Sequence, residues 1–308
     1  MSNETLRRDL LKYMAAGTAS VSLSAYGAAK PAWALKPAKT VALKKSIPVG
    51  VQLWSVRDEC TKDFDATLAA VAKMGFQGVE FAGYHKYKED AVGLRKKLDE
   101  LGLKAAGTHI GAKFFEGDEL KKTIEFHKTI GCSLLIVPGD GRFSDPEGSK
   151  KYAEVMNKAA EVLKPAGLAC GHHNHTEEFK KVAGANGAKE TTYWNLFADR
   201  TSKDVFLEMD IGWVREAGLD PVELMTRYPG RIRTVHIKAK PVKDKGKFIV
   251  GQDKYDWKRV LTACYQVGGT EWFLVEQEDY PDGKTPLQAT KASLDGLTKI
   301  LKGMPKAT

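Results

Sequence analysis

Several short apolar runs in this 308-residue chain end in side chains that bind metals or move protons. Asp210 lies in Val205-Phe-Leu-Glu-Met-Asp-Ile-Gly-Trp213, and His236 and Lys238 close Arg233-Thr-Val-His-Ile-Lys238. His173 and His175 end Leu168-Ala-Cys-Gly-His-His-Asn-His175, and Glu276 ends Trp272-Phe-Leu-Val-Glu-Gln277, with Glu278 just beyond. Earlier runs end near Trp54, Glu80 and His109. Five of the seven histidines lie at such ends, a concentration that scattered structural histidines would not show. Imidazole and carboxylate together suit a divalent cation held by mixed nitrogen and oxygen donors. Alternation along a strand puts His236 with Lys238, His173 with His175, and Glu276 with Glu278 on shared faces. Asp210, His236 and Glu276 are therefore the expected metal ligands, with His173 as the fourth. Taken singly, each has a plain alternative as a hydrogen-bonded or salt-bridged residue near the core.

These ends need a scaffold that gathers them. Between Asp210 and His236, Asp220 caps a helix that Pro221 opens and Gly230 follows. The same strand-helix rhythm runs through the chain. Phe64, Leu68, Val71 and Met74 recur at helical spacing before Gly75, and Leu120, Ile124, His127 and Ile130 before Gly131. His127 on that apolar face reads as a core histidine. The first strand is expected over Ile47–Trp54 and the last helix from Pro286 to about Leu301. Eight units over about 260 residues match a (β/α)8 TIM barrel, whose working residues sit at strand C-termini. A doubly wound open sheet is the alternative, but no Gly-rich phosphate turn follows the first strand.

The formal charge of +9 falls only to +7 without the first 34 residues, and the basic residues are spread through Lys-rich helices. That reads as a solvated surface, not a nucleic-acid site. The N-terminal segment is read apart from the fold. Leu6-Arg-Arg-Asp-Leu-Leu-Lys12, a mildly apolar small-residue stretch and Ala32-Trp33-Ala34 form a twin-arginine export signal over residues 1–34. A linker over 35–46 and the barrel over 47–308 follow. This organisation implies the periplasm, and no stretch is long and apolar enough for stable membrane insertion. Cys60, Cys132, Cys170 and Cys264 show no zinc spacing and read as buried free thiols.

Together these motifs resemble the xylose-isomerase-like barrel superfamily, in its sugar phosphate isomerase/epimerase branch. The likeness rests on Val49-Gly-Val-Gln-Leu-Trp-Ser-Val-Arg57, Met74-Gly-Phe-Gln-Gly-Val-Glu80 and His172-His-Asn-His175. Met209-Asp-Ile-Gly-Trp213, Ala217-Gly-Leu-Asp-Pro221 and Gly230-Arg231 before Val235-His-Ile-Lys238 complete it. It spans roughly residues 47–302. The resemblance implies one divalent metal (manganese, cobalt, zinc or magnesium) held by Glu, Asp, His and Glu from the last four strands. Asp210, His236 and Glu276 match three of these. Gly171 stands where the first Glu is expected, and His173 two residues on is its substitute. The implied reaction is isomerisation or epimerisation of a non-phosphorylated sugar or keto-sugar by proton transfer beside a carbonyl. Glu276, Glu177 and His175 are candidate bases. His109 and Lys238 are candidate hydroxyl or oxyanion contacts, Glu80 lines the substrate side, and Trp54, Trp213 and Phe81 could stack on the sugar. The alternatives are a lyase or hydrolase acting on 3-keto-glycosides by β-elimination, and a non-catalytic periplasmic sugar-binding protein.

Overall fold

The computed structural model describes residues 46–183, 190–241 and 247–305. The expected export signal and all of the expected linker but its last residue lie outside them, as does part of the Lys/Gly/Asp-rich insertion. Eight parallel strands form a closed barrel: β1 (Val49–Gln52), β2 (Gly78–Phe81), β3 (Lys104–His109), β4 (Leu134–Val137), β5 (Ala169–His173), β6 (Phe206–Asp210), β7 (Thr234–Ile237) and β8 (Trp272–Val275). β8 pairs with β1 through Phe273 and Val49, which removes the free edges. This is the (β/α)8 barrel expected from the alternation of strand and helix signals. Among the described residues no helix is long and apolar enough to cross a membrane.

The helices follow their caps. Asp63 accepts the Ala66 N–H at the start of Phe64–Met74, and Asp145 caps Pro146–Leu163. Gly75 ends the first at φ +100°, a conformation costly for any residue with a Cβ. Asp220 caps Pro221–Arg227, and Gly230 lies past its end, as expected.

Strand alternation divides the apolar residues in two. Leu207, Met209, Val235, Ile237, Phe273 and Val275 face the helices in the main core. Phe206, Leu134 and Ile136 point into the barrel, against Ala169 and Trp272. Small residues make room for this plug. A Cβ on Gly78 would lie 2.8 Å from the Trp272 ring, and one on Gly171 would lie 2.7 Å from the Phe206 ring. The polar ends of the strands rise above the plug.

Several strands stop sooner than their apolar runs, β1 at Gln52 among them. The run through Trp213 breaks at Asp210, whose carboxylate accepts the Trp213 N–H at 3.0 Å and so caps a helix over Ile211–Glu216. β5 ends at His173, and β8 ends at Val275, so His175, Glu276 and Glu278 stand on irregular backbone. The four cysteines are buried and free, and burial pushes the Cys60, Cys170 and Cys264 thiols up to about 12.

Candidate active site

Polar side chains fill the upper barrel in three levels. The deepest holds Glu80 from β2, His109 from β3 and Glu208 from β6. Gln52 of β1 donates to Glu80 Oε2 at 2.7 Å, and the missing side chain of Gly107 leaves space that Glu80 Oε1 fills. His109 Nε2 lies 2.7 Å from Glu208 Oε1 and 3.3 Å from Glu80 Oε2. Glu80 and Glu208 have no exposed surface.

Above them sit His173, Asp210, His236 and Glu276. His236 joins the two levels: Nε2 is 2.6 Å from Glu80 Oε2 and 3.2 Å from Glu208 Oε1, while Nδ1 is 2.7 Å from Glu276 Oε2 and 3.8 Å from Asp210 Oδ2. His173 Nδ1 lies 3.2 Å from Glu208 Oε1. One donor atom from each of His173, Asp210, His236 and Glu276 falls within 4.8 Å of the others. A second such group, His109, His173, Glu208 and His236, overlaps it from below. Asn174 locks Asp210 to the end of β5: its Oδ1 accepts the Asp210 N–H at 3.0 Å, and its Nδ2 donates to the Asp210 carbonyl at 3.3 Å.

The rim carries Lys238, Glu278, His175 and Trp213. Lys238 Nζ lies 3.6 Å from both Asp210 Oδ2 and Glu276 Oε2, and it pairs closely with Glu278. Trp213 is covered by cations, with Lys238 Nζ at 4.4 Å and Lys240 Nζ at 3.5 Å from its ring centroid. The His175 ring is 4.8 Å from that of His173 and 5.7 Å from that of Trp213. Trp54 is the exposed aromatic after β1, with Arg57 over its ring at 5.0 Å.

Burial and crowding set the charges. Burial would raise Glu276, but Lys238 and His236 hold it well below the usual carboxylate range. Burial raises Asp210, and Lys238 offsets only part of that. Burial and the charge of Glu208 bring Glu80 up to about 7. Burial would lower His236, yet the charges of Glu208, Glu80 and Glu276 hold it well above its ordinary value. Burial and two neighbouring imidazoles keep His173 well below its own, hence neutral. Burial would lower Lys238 as well, but Glu276, Asp210 and Glu278 raise it, so it stays an ammonium.

Two of the expected roles change with this geometry. Glu177 does not join the cluster: it is exposed, and its carboxylate faces Thr176 and Lys180. The adjacent Glu178 is the buried one, accepting the His175 N–H at 2.7 Å beside His172. Glu80, expected on the substrate side, lies in the floor with Gln52, His109 and the far edge of His236 as its partners. Glu208 was not singled out by sequence, although it lies two residues before Asp210 on the same strand face. His127 is a core histidine, with Nδ1 on the Thr123 carbonyl at 2.6 Å and Nε2 on the Tyr84 hydroxyl at 2.7 Å.

The residues fit a divalent cation. Two imidazoles and two carboxylates converge, and Asp210 Oδ2 is buried without a hydrogen-bond partner. A carboxylate at Gly171 is barred, since the Phe206 ring occupies its path. His173, two residues on along β5, offers a donor atom to the same group.

Comparison with known proteins agrees with this architecture. A sequence model of the family described as "Xylose isomerase-like TIM barrel" matches residues 68–300. The inosose dehydratase of Geobacillus kaustophilus is 23% identical over 278 residues, covering 77% of this chain and 87% of that protein. The inosose dehydratase of Mesomycoplasma hyopneumoniae is 26% identical over 302 residues, covering 83% and 97%. A crystal structure of a sugar phosphate isomerase/epimerase from Parabacteroides distasonis superposes with a TM-score of 0.70 at 26% identity, covering 85% of this chain and 98% of that one.

Proposed function

We propose, from the premise that the chain belongs to the xylose isomerase-like TIM barrel family, that it is a metal-dependent lyase. It removes a β-hydroxyl or β-glycosyloxy group from a non-phosphorylated keto-sugar or keto-cyclitol. His173, Asp210, His236 and Glu276 would hold one divalent cation (manganese, cobalt, zinc or magnesium). When bound, such a cation polarises a carbonyl and makes the neighbouring C–H acidic.

The observation that carries the reading is the unlike pair at the rim. Lys238 is a buried ammonium, while His175 is a half-buried imidazole facing the same cluster. Elimination needs one base and one acid. His175 takes the proton from the carbon beside the carbonyl. The electron pair left behind forms the carbon–carbon double bond as the β C–O bond breaks. Lys238 gives a proton to the departing oxygen, so water or an alcohol leaves and an unsaturated ketone remains. Trp54, the exposed aromatic after β1, offers a surface for the sugar. The dehydratase relatives support this order of events, since a dehydratase expels a hydroxyl as water.

Epimerisation is the second reading. The Parabacteroides relative favours it, and it shares the first proton transfer. The two separate by experiment: the protein, loaded with manganese, is incubated in D2O with keto-sugars and 3-keto-glycosides, and products are followed by NMR and ultraviolet absorbance. Elimination gives an unsaturated ketone and the freed group. Deuterium uptake with the substituent retained would replace this reading with epimerisation. Arg7-Arg8 and Ala32-Trp33-Ala34 support export to the periplasm, which fits a substrate without phosphate.

A further inference from the structure

Resting on the cation site just proposed, we infer that Glu208 and Glu80 are positioning residues that fix the ring of His236 and present its Nδ1 to the cation. The two nitrogens of His236 lie on opposite edges of the ring. Nε2 meets Glu80 at 2.6 Å and Glu208 at 3.2 Å, and Nδ1 meets Glu276 at 2.7 Å. The floor thus takes the Nε2–H and leaves Nδ1 for the level where Asp210 and Glu276 converge. Glu208 Oε1 also lies 3.2 Å from His173 Nδ1.

The floor is itself held from the strands. Gln52 from β1 donates to Glu80, and His109 from β3 bridges Glu208 and Glu80. The His109 ring stacks on that of His236 at 5.5 Å and 17°. Every member stands on a barrel strand, so the arrangement is set before any ligand arrives. A carboxylate behind a ligating histidine fixes its tautomer and raises its basicity, and removing such a partner weakens metal binding about 10–100-fold. Glu208 and Glu80 therefore act through His236, not on substrate.

The test needs no substrate. Manganese binding is measured by calorimetry, and cobalt binding by its visible absorption, for the wild type, Glu208→Gln and Glu80→Gln. Melting without metal checks that each is folded. The wild type is expected to bind one cation per chain. Each Gln variant is expected to bind about 10–100-fold more weakly, with a shifted cobalt band. Because glutamine keeps the shape, either variant alone suffices if the other does not fold. Affinity within twofold of wild type and an unchanged cobalt band in both would overturn the inference while leaving the cation site standing. Two cations per chain, falling to one in Glu208→Gln, would overturn it too, making the floor a second binding position. A wild type that binds neither metal would overturn the cation site and this inference together.

Discussion

Replacing Lys238 with methionine removes a buried ammonium while keeping most of the stem. Its Nζ lies 3.6 Å from Asp210 Oδ2 and 3.6 Å from Glu276 Oε2. At an effective dielectric of about 20, each attraction is worth roughly 5 kcal/mol before desolvation. Desolvating the ammonium offsets several kcal/mol of that, and breaking a buried pair typically costs about 3–5 kcal/mol net. For a domain of this size that lowers the metal-free melting temperature by roughly 10 °C. Manganese then restores more to the variant than to the wild type, because the cation supplies the missing positive charge. The catalytic effect separates the two proton transfers. Without its acid, release of the β-substituent slows by about 10²–10⁴-fold. Deuterium exchange beside the carbonyl, which needs His175, falls much less. Calorimetric melting with and without manganese gives the first result, and NMR in D2O gives the second. A metal-free variant that melts with the wild type would refute the electrostatic argument. Exchange and release falling in parallel would refute Lys238 as the acid.

Other perturbations reach other parts of the account. Glu276→Gln removes a donor of the cation group, so manganese affinity and deuterium exchange should both collapse. Unchanged exchange would remove Glu276 from the site. Gly171→Ala forces a methyl to within 2.7 Å of the Phe206 ring and should cost about 1–3 kcal/mol by overpacking, recovered by a second change, Phe206→Leu. An unshifted melt would contradict the packing of the barrel plug. Acid should destabilise the protein in two overlapping steps. Burial lowers His127 to about 4, so the unfolded chain protonates first as pH falls from its ordinary 6.5 to 4, and stability drops across that window. Burial would raise Glu178, but His172 and the His175 N–H bring it down to about 2. Its contribution, about 3 kcal/mol, is complete above pH 4.5 and disappears as pH falls through 2. Urea melts from pH 7 to pH 3 check this, and a flat profile would contradict both assignments.

The barrel was legible because each strand is an apolar run and each helix has a cap and a stop. Asp210, His236 and Glu276 were legible because they end such runs, where a barrel displays its working groups. Glu208 escaped notice inside its run, although the two-residue period links it to Asp210. The helix after Asp210 escaped as well. Ile211-Gly-Trp213 continues the apolar pattern, and what ends the strand is a hydrogen bond from the Trp213 N–H to the Asp210 side chain. Choosing between Glu177 and Glu178 depended on a turn that brings only the second under His175. The sequence exposed the empty position at Gly171, but its cause is tertiary. The pairing of Gly171 with Phe206 across β5 and β6 puts an aromatic ring where a carboxylate would reach.

One measurement bears most directly on the central claim: the proton NMR spectrum of a 3-keto-glycoside in D2O with the manganese-loaded protein. The expected result is loss of the signal beside the carbonyl, release of the β-substituent and growth of a vinyl resonance, all suppressed by a chelator. A spectrum unchanged over hours, or one equally changed with chelator present, would contradict it.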